Sequence, residues 1–220
     1  MIRRTPVSKT LGRPRAVDSS DTRGNLLVSA RRIFTRDGYG ATTNRNIAEA
    51  AGITTAAIYH YFPSKAELFK AVYLDVQNIV DDCFDVAMRE PGTLADRFGR
   101  VLDAASALNR QDSTIAGFIV AMPTEIQRHA ELGELRAAEK SRTIPFIEQL
   151  VADSVENNEF ADGVVPSAVE DLLTAVISGL TVLSTLTQDP ERHVAAVGAL
   201  KRFLSGEFVR RFSPGPLPID

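Results

Sequence analysis

An all-α fold is what this 220-residue chain predicts, on three observations. Apolar residues recur at spacings of three and four from about residue 21 to residue 212, the period of a helix with one buried face. No stretch alternates apolar and polar residues with the period of two that a half-buried strand requires. The breaks between the apolar stripes carry helix start and stop signals.

Taken in order, residues 1–17 hold Arg3, Arg4, Lys9, Arg13 and Arg15 with Pro6 and Pro14 and few apolar side chains, which predicts a flexible basic arm. Leu26, Ala30, Ile33 and Phe34 form the first stripe, and Gly38 closes that helix. Two short helices follow within residues 43–61. After Pro63, Ser64 and Glu67 make an S-x-x-E capping box, and Leu68, Val72, Val76, Ile79 and Cys83 mark a long fourth helix. Further stripes cover 94–108, 115–122, 132–155, 169–186 and 194–212. They are separated by Pro91-Gly92, Pro123, Asp162-Gly163 and Asp189-Pro190, where Asp189 reads as an N-cap and Pro190 as the first helical residue. Ser167 and Glu170 give a second capping box, and Pro145 kinks or splits the helix in which it falls. Residues 213–220, with three prolines, cannot continue a helix and are expected to be disordered. The expected architecture is about nine helices: an N-terminal three-helix unit over 18–66 and a C-terminal helical domain over 67–212.

Charge is divided unevenly along the chain. Residues 1–70 carry twelve Lys and Arg against five Asp and Glu, net +7, while 71–220 carry a net −10. A basic end on an acidic body suits an anionic partner held at that end, although local fluctuation of solvated faces gives the same count. With 44% hydrophobic and 24% charged residues the composition is that of an ordinary globular protein. The lone Cys83 forms no internal disulfide or multi-cysteine zinc site, and a reducing, cytoplasmic setting is expected. No run of about 18 uninterrupted apolar residues predicts a membrane span.

The segment from Thr43 to Tyr61, TNRNIAEAAGITTAAIYHY, has the requirements of a helix-turn-helix. Ile47 and Ala48 face inward on its first helix, with Ala48 small where the second helix crosses. Gly52 sits at the turn where positive φ is needed, Ile53 and Ile58 fill the shared core, and Thr43 and Thr54 cap the two helices. Many helical hairpins satisfy the Ala-Gly-Ile spacing alone; here it coincides with two caps, a preceding helix and a basic arm.

The run 29–72, SARRIFTRDGYGATTNRNIAEAAGITTAAIYHYFPSKAELFKAV, resembles the DNA-binding domain of the TetR family. Its markers are Phe34 with Gly38-Tyr39, then Thr43, Ile47-Ala48, Ala51-Gly52-Ile53, Ile58-Tyr59, Tyr61-Phe62, Ser64-Lys65 and Leu68. The resemblance implies a homodimer on operator DNA, one recognition helix per subunit over about 54–60, and a C-terminal domain that binds a small effector and dimerises through its last two helices, here about 167–187 and 190–212. Residue by residue it places Thr43, Tyr59 and Lys65 at DNA phosphates and Arg45 at a base, where its guanidinium can bond two acceptors of a guanine. Thr54 sits at the start of the recognition helix, and Thr55, His60 and Tyr61 are expected on its exposed side. Ala56 and Ala57 depart from the family's pattern by offering only backbone or apolar contacts, so specificity falls on Arg45, Thr55, His60 and the arm, whose Arg13 and Arg15 suit a narrow minor groove. Gly24 is a second departure, a weak helix former inside the first helix.

Phe84, Leu102, Phe118, Met122, Phe146, Val176 and Leu180 could line an effector cavity and would favour an apolar ligand, though side chains at helical spacing are more often plain core. Asp81, Asp82 and Asp85 read as the solvated face of the long helix rather than as a metal site, and His129 and His193 stand apart from any metal-ligand spacing. No nucleophile, carboxylate pair or phosphate loop points to catalysis, and no cofactor is expected. The expected function is a ligand-responsive transcription regulator, a repressor released from its operator by an apolar effector. An activator of the same build, or a helical-bundle small-molecule binder without specific DNA affinity, stands as the alternative.

Overall fold

The computed structural model describes residues 19–140 and 145–207. The basic arm with Arg13 and Arg15, and the tail 213–220, lie outside the described residues. Ten α-helices follow one another, with a single 3-10 turn at Ala130–Leu132 and no strand among the described residues. They are α1 Ser19–Ala41, α2 Asn44–Ala51, α3 Thr55–Tyr61, α4 Lys65–Met88, α5 Leu94–Gln111, α6 Ser113–Arg128, α7 Gly133–Lys140, α8 Pro145–Glu156, α9 Pro166–Thr187 and α10 Pro190–Leu204.

The sequence expects nine helices, and the tenth arises within the apolar stripe 132–155, which is described as two helices, α7 to Lys140 and α8 from Pro145. Proline lacks the N–H that a continuing helix needs but is favoured at a helix start. Pro123 goes the other way. The expected break does not occur, and α6 runs through it to Arg128. Only the bond from position 123 back to Ile119 is lost, while Met122 and Ile126 on either side are buried and hold the helix to its course.

The caps decide the other boundaries. Thr43, Thr54, Ser64 and Asp189 each accept a backbone N–H at the start of a helix, as the residue types predict. At Ser64 the hydroxyl accepts from the Glu67 amide at 3.1 Å. Reciprocal boxes form instead at Thr43–Asn46 and Thr93–Asp96, with Asn or Asp in place of the usual Glu or Gln. The expected box at Ser167 does not form: α9 starts two residues earlier, with Val165 as N-cap and Pro166 at the first helical position, so Ser167 lies inside the first turn.

Gly24 is exposed in α1, and a Cβ built there meets nothing within 4 Å. Gly24→Ala is therefore expected to stabilise the chain by up to about 1 kcal/mol, since alanine propagates a helix better at no steric cost. Urea unfolding of the two proteins checks it, and no gain would mean that this part of α1 is frayed.

One core runs through the molecule. Leu26, Ala30 and Phe34 of α1, Ile47 of α2, Ile58 of α3 and Leu68, Phe69 and Val72 of α4 close the N-terminal unit. Phe69 then meets Phe118 of α6 with ring centroids 5.2 Å apart, so the N-terminal and C-terminal cores are continuous. The expected division at residue 66 falls within the first turn of α4. In the C-terminal half, Arg97 of α5 is buried against α8, where it bonds Asp153 at 2.6 Å and Ser154 Oγ at 3.2 Å.

Two contacts weld α1 to α6 over its length. At one end Arg31, almost wholly buried, donates to Asp112 at 2.7 Å and to Thr114 Oγ1 at 3.1 Å, and lies 3.5 Å from Asp75. Gly117 lets α6 approach there, since a Cβ on it would stand 2.6 Å from the Thr35 methyl. At the other end Glu125 accepts the Tyr39 backbone N–H at 3.0 Å.

Candidate nucleic-acid interface

The helix-turn-helix forms as its residue types require. Thr43 Oγ1 accepts the Asn46 amide at 3.2 Å and donates to the Asn46 side chain, closing the box that starts α2. Gly52 takes φ 66° and returns its N–H to Ala48 and Glu49, a conformation that favours glycine. Ile53 N–H then bonds the Ala48 carbonyl at 3.0 Å, which sets the angle of approach to α3. Thr54 Oγ1 accepts the Ala57 amide at 3.2 Å. Ile47, Ala48 and Ile58 are buried between the helices, and Ile53 packs half-buried against them.

With the apolar positions turned inward, the outer surface of α2 and α3 is what solvent meets. Thr43, Arg45, Thr54, Ala56, Tyr59 and His60 are exposed, Tyr59 to 55% despite its aromatic ring, and Thr55 is half-buried at the first position of α3. Tyr61 differs from expectation: it is half-buried and packs on the core, with its ring against His60 at 5.3 Å. Phe62 is core, with the Arg23 guanidinium 5.4 Å from its ring centre.

Lys65, expected at the DNA backbone, turns inward. Its Nζ donates to the carbonyls of Tyr39 at 2.8 Å and Thr42 at 2.9 Å and lies 4.2 Å over the Tyr39 ring. Burial pushes its pKa down, against the pull of Glu131 and Glu125. The ammonium thus ties the start of α4 to the end of α1, at the residues that lead into α2. Family position cannot distinguish this tie from a phosphate contact; only the carbonyls opposite reveal it.

The expected effector residues do not gather round a single cavity. Phe84 and Phe146 pack edge to face at 4.7 Å, Leu102 is buried, and Val176 and Leu180 lie half-buried at the edge of the core. Phe118 and Met122 line a crevice between α4 and α6 with Tyr73, Val76, Gln77, Val80 and Ile119. Its volume is about 10 Å³, room for no more than a water molecule. A wider groove of about 520 Å³ lies elsewhere on the surface, between α5 and the end of α10.

On α9 the positions Leu172, Ala175, Gly179, Val182 and Leu186 are all exposed and recur at intervals of three and four. By length and composition α9 could also cross a membrane, and only 17% of its most apolar stretch is buried. Its outer face is therefore an uncovered apolar stripe.

An exposed helix-turn-helix fused through a continuous core to a bundle of seven further helices is the build of a DNA-binding transcriptional regulator. Two family descriptions match the chain: bacterial regulatory proteins of the tetR family over residues 26–72, and the C-terminal part of BetI-type transcriptional repressors over 94–209. The chain belongs to the TetR family of helix-turn-helix transcriptional regulators. It is 42% identical over 55 residues to the regulator TtgR of Pseudomonas putida, a match spanning 25% of this chain and only 26% of TtgR. It is 21% identical over 190 residues to UidR of Escherichia coli, covering 86% of this chain and 94% of UidR. In fold it is similar to FadR of Bacillus subtilis in complex with stearoyl-CoA, with a TM-score of 0.65, 14% identity, and coverage of 84% and 98% of the two chains.

Proposed function

We propose that this chain is a homodimeric, ligand-responsive repressor that holds operator DNA through α2 and α3 and releases it when a small, mostly apolar effector enters the C-terminal domain. The observation that carries the reading is the exposed set Thr43, Arg45, Thr54, Tyr59 and His60 on the one surface of the helix pair that the core leaves free. Thr43 and Tyr59 contact phosphates, which fix register, and Arg45 reads a base from the first turn of α2. Thr55, Ala56 and His60 face the groove from α3. Tyr61 supports them from behind, and Lys65 holds the frame rather than the DNA. Arg13 and Arg15 reach the adjacent minor groove.

The stripe on α9, with α10 beside it, pairs with a second copy, which removes the apolar face from water and keeps the protein in the cytoplasm. Repression, rather than activation, is supported by the description of the matched C-terminal half. An apolar effector is supported by the aromatic and aliphatic lining between α4 and α6 and by the likeness to FadR, solved with stearoyl-CoA. In a crevice this small, an effector binds by parting α4 from α6, and that movement changes the separation of the two recognition helices.

Selection of bound duplexes from genomic DNA with purified protein tests the reading. It should return paired, inverted half-sites, and affinity should fall steeply with salt. Binding without sequence preference would replace the regulator by an architectural protein, and no binding would leave a helical-bundle ligand carrier. Arg45→Ala should lose about 1–3 kcal/mol of discrimination at one base pair per half-site. An unchanged preference across a panel of single-base variants would remove Arg45 from the readout.

A further inference from the structure

The C-terminal end of α6 grips one residue of the N-terminal unit from several sides. Gly38, with φ 76° and ψ 165°, breaks α1 and frees the Tyr39 amide from the helix. That amide donates to Glu125 Oε2 at 3.0 Å. The Tyr39 ring lies 4.8 Å from the His129 ring, and His129 Nε2 lies 3.3 Å from the same Glu125 oxygen. Burial, then the Glu131 carboxylate facing the hydroxyl, pushes the Tyr39 phenol up to about 12, so it remains a neutral donor.

The fit is close. A Cβ on Gly38 would stand 3.3 Å from Glu125 Oε1, and one on Gly40 would stand 3.2 Å from His129 Cε1. Beyond this contact the path to DNA is short. Thr42 Oγ1 donates to the Gly38 carbonyl, Lys65 bonds the carbonyls of Tyr39 and Thr42, and Thr43 is the cap of α2. On the other side, Pro123 stands in α6 between Phe118, Ile119 and Met122, which line the α4–α6 crevice, and Glu125, and it removes the backbone bond back to Ile119. The missing bond leaves α6 easiest to bend along the crevice, just before the grip.

We propose that Glu125 and His129 are positioning residues: held on Tyr39, they fix the angle of the helix-turn-helix against the C-terminal domain and so set the half-site spacing that the dimer accepts. The inference rests on the dimeric operator binding proposed above. Loosening the grip leaves base recognition intact and broadens the tolerated spacing, because each recognition helix keeps its own contacts and loses only its fixed distance from the other.

The test uses the full-length chain and half-sites selected by the wild-type protein from random duplex DNA. These are rebuilt into duplexes whose centre-to-centre spacing differs by one and two base pairs. Wild type should prefer its own spacing by about tenfold, and Glu125→Ala should reduce that preference to about threefold or less, with melting temperature and dimerisation little changed. Gly40→Ala wedges the same contact from the α1 side without touching α6. It should broaden the spacing likewise, and it decides the matter where Glu125→Ala fails to fold. A variant that weakens binding equally at every spacing, or leaves the preference sharp, overturns the proposal. A wild-type protein with no spacing preference overturns the dimeric operator reading itself, a result distinguishable because it needs no variant.

Discussion

Arg31→Ala is expected to destabilise the protein by about 3 kcal/mol, the lower end of the cost of breaking a buried ion pair from one side. The guanidinium has only 3% of its side chain exposed and joins three elements: α1, α4 through Asp75, and the start of α6 through Asp112 and Thr114. Its loss leaves two carboxylates facing each other, but Asp75 and Asp112 retain 32% and 22% exposure, so water relieves part of the penalty. Burial alone would push the Asp112 carboxyl up. Hydrogen bonds from Thr114 and Arg31 outweigh it and hold the group below the usual carboxylate range. A depressed carboxylate stabilises the fold fully above its unfolded value of about 4, and that stability disappears as pH falls through the lower folded value. The gap between wild type and Arg31→Ala should therefore be constant near neutrality and narrow below about pH 4. Urea unfolding at several pH values measures both, and a neutral-pH loss below about 1 kcal/mol would place Arg31 among surface ion pairs.

Val182→Asp is expected to convert the dimer proposed above to a monomer without harming the subunit. Val182 is 41% exposed in the single chain, at the centre of the α9 stripe between Gly179 and Leu186, so aspartate there costs the monomer little. In a symmetric dimer the stripe meets itself, and two carboxylates would be brought together in a dry interface. Without the partner each helix-turn-helix binds one half-site alone, and operator affinity should drop by about 100-fold or more. Light scattering gives the mass and a gel-shift titration the affinity. A dimeric variant with unchanged affinity would move the interface off α9.

Much of this was legible in the sequence, and the reasons for the rest are specific. Caps are local, so Thr43, Thr54, Ser64 and Asp189 could be placed from residue type and position. Apolar period is local too, and it gave Ile47, Ala48 and Ile58 as the closed side of the helix pair. Ser167 misled because its motif was right while Pro166, one residue earlier, was the stronger helix start. Pro123 misled because a proline costs a helix one bond, and burial on both sides restores the balance. Lys65 and Glu125 could not be assigned from sequence. Their partners lie 26 and 86 residues away, and a charge near a helix end looks the same whether it meets water or a carbonyl. The close packing around Phe84, Leu102 and Phe146 was equally hidden, since periodicity counts apolar residues and says nothing of the space between them.

The weld between α1 and α6 bears on how this protein could be recombined. Here a cut before α4 would strip α1 of the Asp112, Thr114 and Glu125 contacts that seat Arg31 and Tyr39. A chimera that grafts residues 19–64 onto a foreign body would inherit a buried arginine without its carboxylates and a helix break without its acceptor. A graft that also carries α4 and 112–129 would keep both, so the transferable unit is discontinuous in sequence.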